Sequence, residues 1–135
     1  MKRYTCQAKG ENLEDFLEQM RQFLMENSAS KKSISQMSIV ADEIFANVCS
    51  YAYPEDEGNI DIDYGLDENE DFILIFTDRG IPFDPLKHED PDTGLPIEER
   101  DIGGLGILMV KNMVDEISYK RENDCNCLMM RKVIK

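Results

Sequence analysis

Apolar residues recur every three or four positions in two segments of the first half of the chain. The first segment predicts an amphipathic helix that ends near Asn27, and its apolar face carries Leu13, Phe16, Leu17, Met20, Phe23 and Leu24. A polar break at residues 28–33 follows. The second segment predicts a helix from about Ile34 to Ala52, which Pro54 ends, with Met37, Val40, Ala41, Ile44, Phe45 and Val48 on one side.

Shorter apolar stretches predict strands. Residues 2–8 are typical of a short edge strand, residues 59–64 alternate apolar and acidic side chains, and residues 71–76 suit a central strand. Turn-forming residues between the last two indicate a hairpin. Beyond Gly106 the sequence predicts a helix through about Met113 and then a C-terminal hairpin that turns at Asn123 and Asp124.

The order of these elements predicts an α+β fold in a single domain over residues 1–135. We expect a two-layer sandwich in which helices cover one face of a mixed β-sheet. Residues 79–103 are rich in proline, glycine and acidic residues, and they predict a long irregular loop. Such a loop in a small domain is usually functional and often a lid. Because residues 86–102 are charged and have little to bury, we expect them to be poorly ordered without a ligand.

Composition and charge exclude some classes of function. The chain is 41% hydrophobic and 32% charged, which is typical of a globular protein. Its 15 Lys and Arg against 28 Asp and Glu give a net charge of −13, which argues against a nucleic-acid-binding surface. The N-terminal residues lack the apolar region of a signal peptide, and no stretch is long enough to span a membrane. We therefore expect a soluble cytoplasmic protein.

The cysteines favour buried or half-buried free thiols. Cys6 and Cys49 are isolated, and Cys125 and Cys127 form a Cys-x-Cys pair with no histidine nearby in sequence. This spacing fits no usual zinc site. A redox role for Cys125 and Cys127 is the more distant alternative.

The second predicted helix carries one candidate pair of functional residues. Glu43 and Asn47 are four positions apart, so they lie one above the other at the edge of the apolar side. A carboxylate there can accept a proton from a hydroxyl, and an amide oxygen is a ligand for Mg²⁺. Taken alone, the pair fits a solvated helix shoulder better.

A second candidate follows the central strand, in residues 77–85, TDRGIPFDP. Asp78 at the end of a buried strand can accept a hydrogen bond from an exocyclic amine, and Gly80 lets a flat ring approach the backbone. Taken alone, the segment also fits an Asx turn before a proline-rich loop.

The third candidate is a glycine cluster, Gly103, Gly104 and Gly106, before a helix predicted to begin near Leu105. No Gly-Lys-Ser/Thr follows, and no strand precedes the cluster, so it fits neither a Walker A loop nor a dinucleotide fingerprint. A backbone-amide cradle for an anion remains, with a flexible hinge as the alternative. In so acidic a chain a polyphosphate would need neutralisation by backbone N–H groups, Mg²⁺ and Arg100 or Lys111.

Three segments in this order resemble the N, G1 and G2 boxes of the GHKL ATPase superfamily. They read EIFANVCSYAY, DRGIPFDP and GGLGILMVKNMVDEISY, and the resemblance covers roughly residues 13–134. It implies a Bergerat ATP-binding fold with an ATP lid at about residues 86–106. Sensor histidine kinases share these boxes but also need a phosphoacceptor helical domain, which we do not expect in these 135 residues. The closest resemblance is therefore to the anti-sigma-factor serine kinases of bacterial partner switching.

The resemblance also implies roles for individual residues. Glu43 matches the general base, Asn47 the ligand of a Mg²⁺ that binds only with nucleotide, and Asp78 the acceptor for the adenine amine. The remaining expected nucleotide-binding residues are Gly80, Phe83, Arg100, Gly103, Gly104, Leu105 and Gly106. The implied activity is transfer of the γ-phosphoryl group of ATP to a serine or threonine of a STAS-type anti-anti-sigma partner. The alternative is a nucleotide-gated binding module that sequesters a sigma factor or another regulator without turnover.

The chain departs from the family pattern at a few positions. Tyr51-Ala52-Tyr53 stands where family members commonly have His-Ala-Tyr, and Ala46 replaces a common Thr. The Thr or Ser that often supports the adenine from the last strands is not identified, and Cys127 would be a weaker partner. Homodimers are common in the family and are expected here.

Overall fold

In the computed structural model, which describes residues 1–54, 57–87 and 102–135, five strands and three helices follow the predicted order. The strands are β1 (Lys2–Gln7), β2 (Asn59–Leu66), β3 (Phe72–Asp78), β4 (Glu116–Glu122) and β5 (Cys125–Lys132). The helices are α1 (Leu13–Glu26), α2 (Lys31–Asn47) and α3 (Ile102–Met113), and a π-helical turn, Val48–Ala52, extends α2. Single 3₁₀ turns lie at Gly10–Asn12 and Pro85–Lys87.

Both ends of the connection between α1 and α2 are fixed by side-chain caps. The Asn27 side chain donates to the Phe23 carbonyl at 2.8 Å, and Ser28 takes a left-handed conformation with a φ of 62°. The Ser30 hydroxyl accepts a hydrogen bond from the Ser33 amide at 3.1 Å. This cap starts α2 at Lys31, three residues before the predicted start, because a polar first turn carries no apolar periodicity.

The sheet has the order β1-β2-β3-β5-β4, and all four pairings are antiparallel. The expectation of a mixed sheet was wrong. Two helices, α1 and α2, connect β1 to β2, so the chain returns to the end of the sheet from which it left and β2 runs antiparallel to β1. One helix, α3, leads from β3 to β4, and these strands do run in the same direction, but β5 lies between them.

The core lies between one face of the sheet and the helices, so the two-layer α/β architecture is confirmed. Alternate residues of β2, β3 and β5 are buried on this face: Ile60, Ile62, Tyr64, Phe72, Leu74, Phe76, Leu128 and Met130. The ring of Phe16 in α1 packs against Tyr64 and Phe76, with ring centroids 5.9 Å and 6.3 Å apart respectively. The opposite face is polar at its edge, where Arg3 and Asp63 form an ion pair at 2.8 Å.

The C-terminal hairpin turns as predicted at Asn123 and Asp124, whose φ angles of 53° and 61° suit a two-residue hairpin turn. All four cysteines are half-buried free thiols, as the sequence predicts. Within the described part of the chain, no helix is both long enough and apolar enough to cross a membrane.

Candidate functional site

A pocket opens between the C-terminal end of α2, the end of β3 and the β4–β5 hairpin. About 400 Å³ of space, part of it open to solvent, lies between the residues that line it. Two predicted site residues, Asn47 and Asp78, line it. The other lining residues are mostly apolar: Ile44, Val48, Ala52, Phe76, Phe83, Pro85, Tyr119, Asn126 and Leu128. A largely apolar pocket with a few polar groups is typical of a site for a flat organic ring.

Asp78 supplies the carboxylate of the pocket. It is the last residue of β3 and only 6% exposed. Its Oδ1 accepts hydrogen bonds from the Gly80 amide and from Asn126 Nδ2, both at 2.9 Å. Burial raises the pKa of Asp78, while these two hydrogen bonds and the charge of Arg121 act in the opposite direction. Both hydrogen bonds from the described residues go to Oδ1, which leaves Oδ2 as the oxygen for a ligand.

Gly80 brings the loop after β3 against the end of α2. A β-carbon at this position would overlap the carbonyl group of Ala52. The same carbonyl accepts a hydrogen bond from the Ile81 amide at 2.9 Å. The sequence predicted that Gly80 lets a ring approach the backbone. The structure supplies another reason for a glycine, which is the close contact between the loop and Ala52.

Asn126 is a site residue that the sequence reasoning missed. It pairs with Asp78 across β3 and β5, is 6% exposed and lines the pocket. The sequence indicated only a hydroxyl side chain or Cys127 as a supporting residue in the last strands. The signal was present in the alternation of β5, because Asn126 shares the buried face with Leu128 and Met130, where an amide needs polar partners.

Glu43 and Asn47 lie on α2 beside the first turns of α3. A β-carbon at Gly106 would overlap the Glu43 carboxylate, so this glycine allows the two helices to approach. Burial and the neighbouring Asp42 raise the pKa of Glu43. Asn47 Nδ2 is buried and has no hydrogen-bond partner among the described residues. A buried polar atom without a partner is unusual in a native protein and indicates a place for a ligand.

The glycine cluster lies inside α3 rather than before it. The helix begins at Ile102, so Gly103, Gly104 and Leu105 are in its first turn, where backbone N–H groups have no partner within the helix. Their side-chain environments lie outside the described residues, as does Arg100. Most of the predicted lid, residues 88–101, also lies outside them.

The aromatic residues of the N-box region support the pocket. The Tyr51 ring stacks on Phe83 with centroids 5.0 Å apart and planes at 17°. The Tyr53 hydroxyl accepts a hydrogen bond from the Arg79 amide and donates one to the Asn59 carbonyl, both at 2.8 Å. Tyr51, which replaces the family histidine, therefore contacts the segment after β3 through Phe83.

Comparison with known proteins places these features in a family. The sequence profile of the histidine kinase-like ATPase domain matches residues 6–132. The serine-protein kinase RsbW of Bacillus thuringiensis is 32% identical over 104 residues, and that of Bacillus anthracis is 31% identical over the same length. Each alignment covers 74% of this chain and 64% of the relative. The chain thus spans less than two thirds of these relatives.

Solved structures share the fold. A crystal structure of the RsbU and RsbW domains of a Mycobacterium tuberculosis protein superposes with a TM-score of 0.69 at 15% identity, covering 99% of this chain and 33% of the other. The histidine kinase domain of a blue-light activated histidine kinase from Erythrobacter litoralis gives 0.59 at 13% identity, covering 90% and 61%. The family match spans the pocket, α2 and the first turns of α3. The chain belongs to the histidine kinase-like ATPase domain family.

Proposed function

We propose that the protein binds ATP with Mg²⁺ and transfers the γ-phosphoryl group to a serine or threonine of a protein partner. One observation carries the proposal. The pocket with the buried Asp78 carboxylate also contains the Asn47 amide. Its Nδ2 has no partner among the described residues and can donate to a phosphate oxygen, while its Oδ1 can bind a cation. Glu43, one helical turn away, contacts α3 at Gly106. Base recognition, cation binding and proton transfer thus have adjacent groups in one site.

The pocket suits an adenine ring. Asp78 Oδ2, which has no hydrogen-bond partner among the described residues, accepts a hydrogen bond from the exocyclic amine, because a carboxylate only accepts. Ile44, Phe76 and Leu128 supply apolar surface for the faces of the ring. Phe83 and Gly80 belong to the same binding set.

The residues near the phosphates fit a magnesium ion that arrives with the nucleotide. Among the described residues, no group of three or more His, Cys, Asp or Glu could hold a metal by itself. Asn47 offers one amide oxygen, and Mg²⁺ is usually bound by few protein ligands together with substrate phosphates. When bound, the ion neutralises phosphate charge.

The first turn of α3 supplies neutral donors for the phosphates. We assign Gly103, Gly104, Leu105 and Gly106 to this role through their backbone N–H groups, and Arg100 as a charge partner. A chain with a net charge of −13 repels a polyphosphate, so local donors and the cation have to overcome that repulsion.

Glu43 is proposed as the general base. Its carboxylate takes the proton of the attacking hydroxyl while the hydroxyl oxygen bonds to the γ-phosphorus. The bond between that phosphorus and the β–γ bridging oxygen breaks, and ADP leaves. The raised pKa of Glu43 makes it a better proton acceptor than an exposed carboxylate.

The proposed partner is a STAS-type anti-anti-sigma protein, a sigma factor or both, in the bacterial cytoplasm. The support is the similarity to proteins named serine-protein kinase RsbW and to an RsbW domain. We also propose a homodimer, as the family resemblance implies.

A second function is a nucleotide-gated binding module that sequesters a regulator without turnover. The observation in its favour is the Tyr51–Phe83 stack, because it changes the surroundings of the pocket at a position where the family commonly has histidine. Under this proposal ATP binding changes partner affinity, and Glu43 has no catalytic role.

The experiment combines calorimetry with phosphoryl transfer from labelled ATP to STAS-type proteins encoded nearby. Glu43→Gln should leave ATP affinity within about threefold and lower transfer by about a hundredfold or more, the usual contribution of a general base. Glu18→Gln is the matched control, since Glu18 is an exposed helical carboxylate on α1 that does not line the pocket, and it should retain transfer. Binding without transfer to any partner favours the binding module, and absence of ATP binding rejects both functions.

A further inference from the structure

Asn126 has a complete set of hydrogen bonds at the inner end of the pocket. Its Nδ2 donates to Asp78 Oδ1 at 2.9 Å and to the Ile81 carbonyl at 2.8 Å. Its Oδ1 accepts from the Phe83 amide at 3.2 Å and from the Tyr119 hydroxyl. An amide side chain has two donor hydrogens and two acceptor lone pairs, and all four are used here.

The neighbours fix the direction of this amide. The Ile81 carbonyl only accepts and the Phe83 amide only donates, so a flipped Asn126 would place like groups against each other at both positions. Since no donor or acceptor of Asn126 is left over, the residue acts on a ligand through Asp78 and not by direct contact. It also connects β5 to the loop after β3 and, through Tyr119, to β4.

We propose that Asn126 is the positioning residue that makes this pocket selective for a 6-amino purine over a 6-oxo purine. Its amide occupies Asp78 Oδ1 and holds the carboxylate so that Oδ2 is presented as an acceptor. A 6-amino group donates to that oxygen, whereas a 6-oxo group would place a second acceptor against it. The inference rests on the proposed nucleotide binding. It gives Asn126 the supporting role that a hydroxyl side chain of the last strands often has in the family.

The selectivity also depends on the ionised form of Asp78, since a protonated carboxyl could donate a hydrogen bond to the 6-oxo oxygen. Burial raises the pKa of Asp78, and the hydrogen bond from Asn126 is the largest opposing influence. The other groups that face the carboxylate are the Gly80 amide and Arg121, which lower its pKa, together with the neutral hydroxyls of Tyr53 and Tyr119. Loss of Asn126 therefore favours protonation and frees the carboxylate to rotate.

The test measures the affinity of the full chain for ATP and for ITP, which carries a 6-oxo group, by calorimetry with Mg²⁺ at neutral pH. The wild type should prefer ATP by at least about tenfold, as expected for a hydrogen bond to a charged group. Asn126→Ala should narrow the ATP-to-ITP preference by about tenfold, and lowering the pH should narrow it further. Asn59→Ala is the matched control: Asn59 is exposed at the start of β2 and does not line the pocket, so its loss should keep the preference within about threefold of the wild type.

The outcomes separate the inference from the proposed function. Equal weakening of ATP and ITP by Asn126→Ala, with the preference unchanged, would show a merely structural role and overturn the inference. Tight ATP binding without preference in the wild type would also overturn it while leaving ATP binding intact. Failure of the wild type to bind either nucleotide would reject the proposed function, and with it the role of Asn126 in base selection.

A second variant carries the test if Asn126→Ala does not fold. Asn126→Thr keeps one donor for Asp78 on a residue suited to a strand. A preference within about threefold of the wild type would support the inference, because only the bond to Asp78 is retained. Loss of the preference in a folded Asn126→Thr protein would contradict it.

Discussion

Asp78→Asn is the substitution that separates ligand recognition from stability. The new side chain has the same shape, and its oxygen can accept the hydrogen bonds that Asp78 Oδ1 accepts from the Gly80 amide and from Asn126. The position of Oδ2 then becomes an NH₂ group, which is a donor. The Gly80 amide and Asn126 keep their hydrogen-bond acceptor, while the group that faces the ligand changes from an acceptor to a donor.

The size of the effect on affinity follows from the bond that is lost. A hydrogen bond to a charged group contributes about 1.5–3 kcal/mol, so ATP affinity should fall by about 10- to 150-fold. The 6-oxo group of ITP accepts a hydrogen bond from the new donor, so ITP should bind the Asp78→Asn variant more tightly than it binds the wild type. The preference between the two nucleotides should therefore reverse.

Stability should respond in the opposite direction. The folded-state pKa of Asp78 is raised, mainly by burial, so the stabilisation from its protonated form is present at low pH and is lost as the pH rises through the folded-state pKa. At pH 7 the buried, ionised carboxylate lowers the free energy of unfolding, and a neutral amide has no such effect. Without nucleotide, Asp78→Asn should be at least as stable as the wild type in urea denaturation.

Calorimetry with ATP and ITP, beside urea denaturation without nucleotide, checks both expectations. Asp61→Asn is the control, because Asp61 bonds Thr5 at 2.7 Å at the β1–β2 pairing and does not line the pocket, so it should change neither affinity. ATP binding by Asp78→Asn within about threefold of the wild type would refute the role of Asp78, since a charged hydrogen bond contributes more than that.

Three further predictions concern the core, the loop after β3 and the lid. Phe16→Ala, in a fully buried position, should lower the free energy of unfolding by about 3–5 kcal/mol in urea denaturation. Gly80→Ala should lower it by about 1–3 kcal/mol because its β-carbon meets the Ala52 carbonyl, whereas Gly10→Ala, in open space, should not; equal effects would contradict the contact. Hydrogen exchange over residues 86–106 should slow with a Mg–ATP analogue more than with ADP, and identical exchange in the presence and absence of nucleotide would reject the lid.

The sequence predicted the elements well because most of them bury one regular face. The periodic apolar residues of α1 and α2, the alternating apolar residues of β2 and the apolar stretch of β3 supply most of the core. The Asn123–Asp124 turn was readable from turn chemistry. The strand directions were not, since they depend on how many helices connect two strands and on the insertion of β5 between β3 and β4.

The candidate site was predictable where motifs carry it and missed where only tertiary contact defines it. Glu43, Asn47 and Asp78 came from spacing and resemblance, and the structure places them around one region of the fold. The alternation of β5 marks Asn126 as buried, but its partners, Asp78 among them, are set only when β5 pairs with β3. The start of α3 was placed too late because glycine is a poor helix former and obscured the first turn.

The most direct test of nucleotide binding in this pocket is an amide NMR titration of the full chain with a non-hydrolysable Mg–ATP analogue. Binding in the pocket should give saturable shift changes concentrated at Asn47, Asp78, Gly80, Gly106 and Asn126. It should give little change in β1, whose residues do not line the pocket. No change at millimolar analogue, or changes confined to surfaces away from these residues, would contradict it.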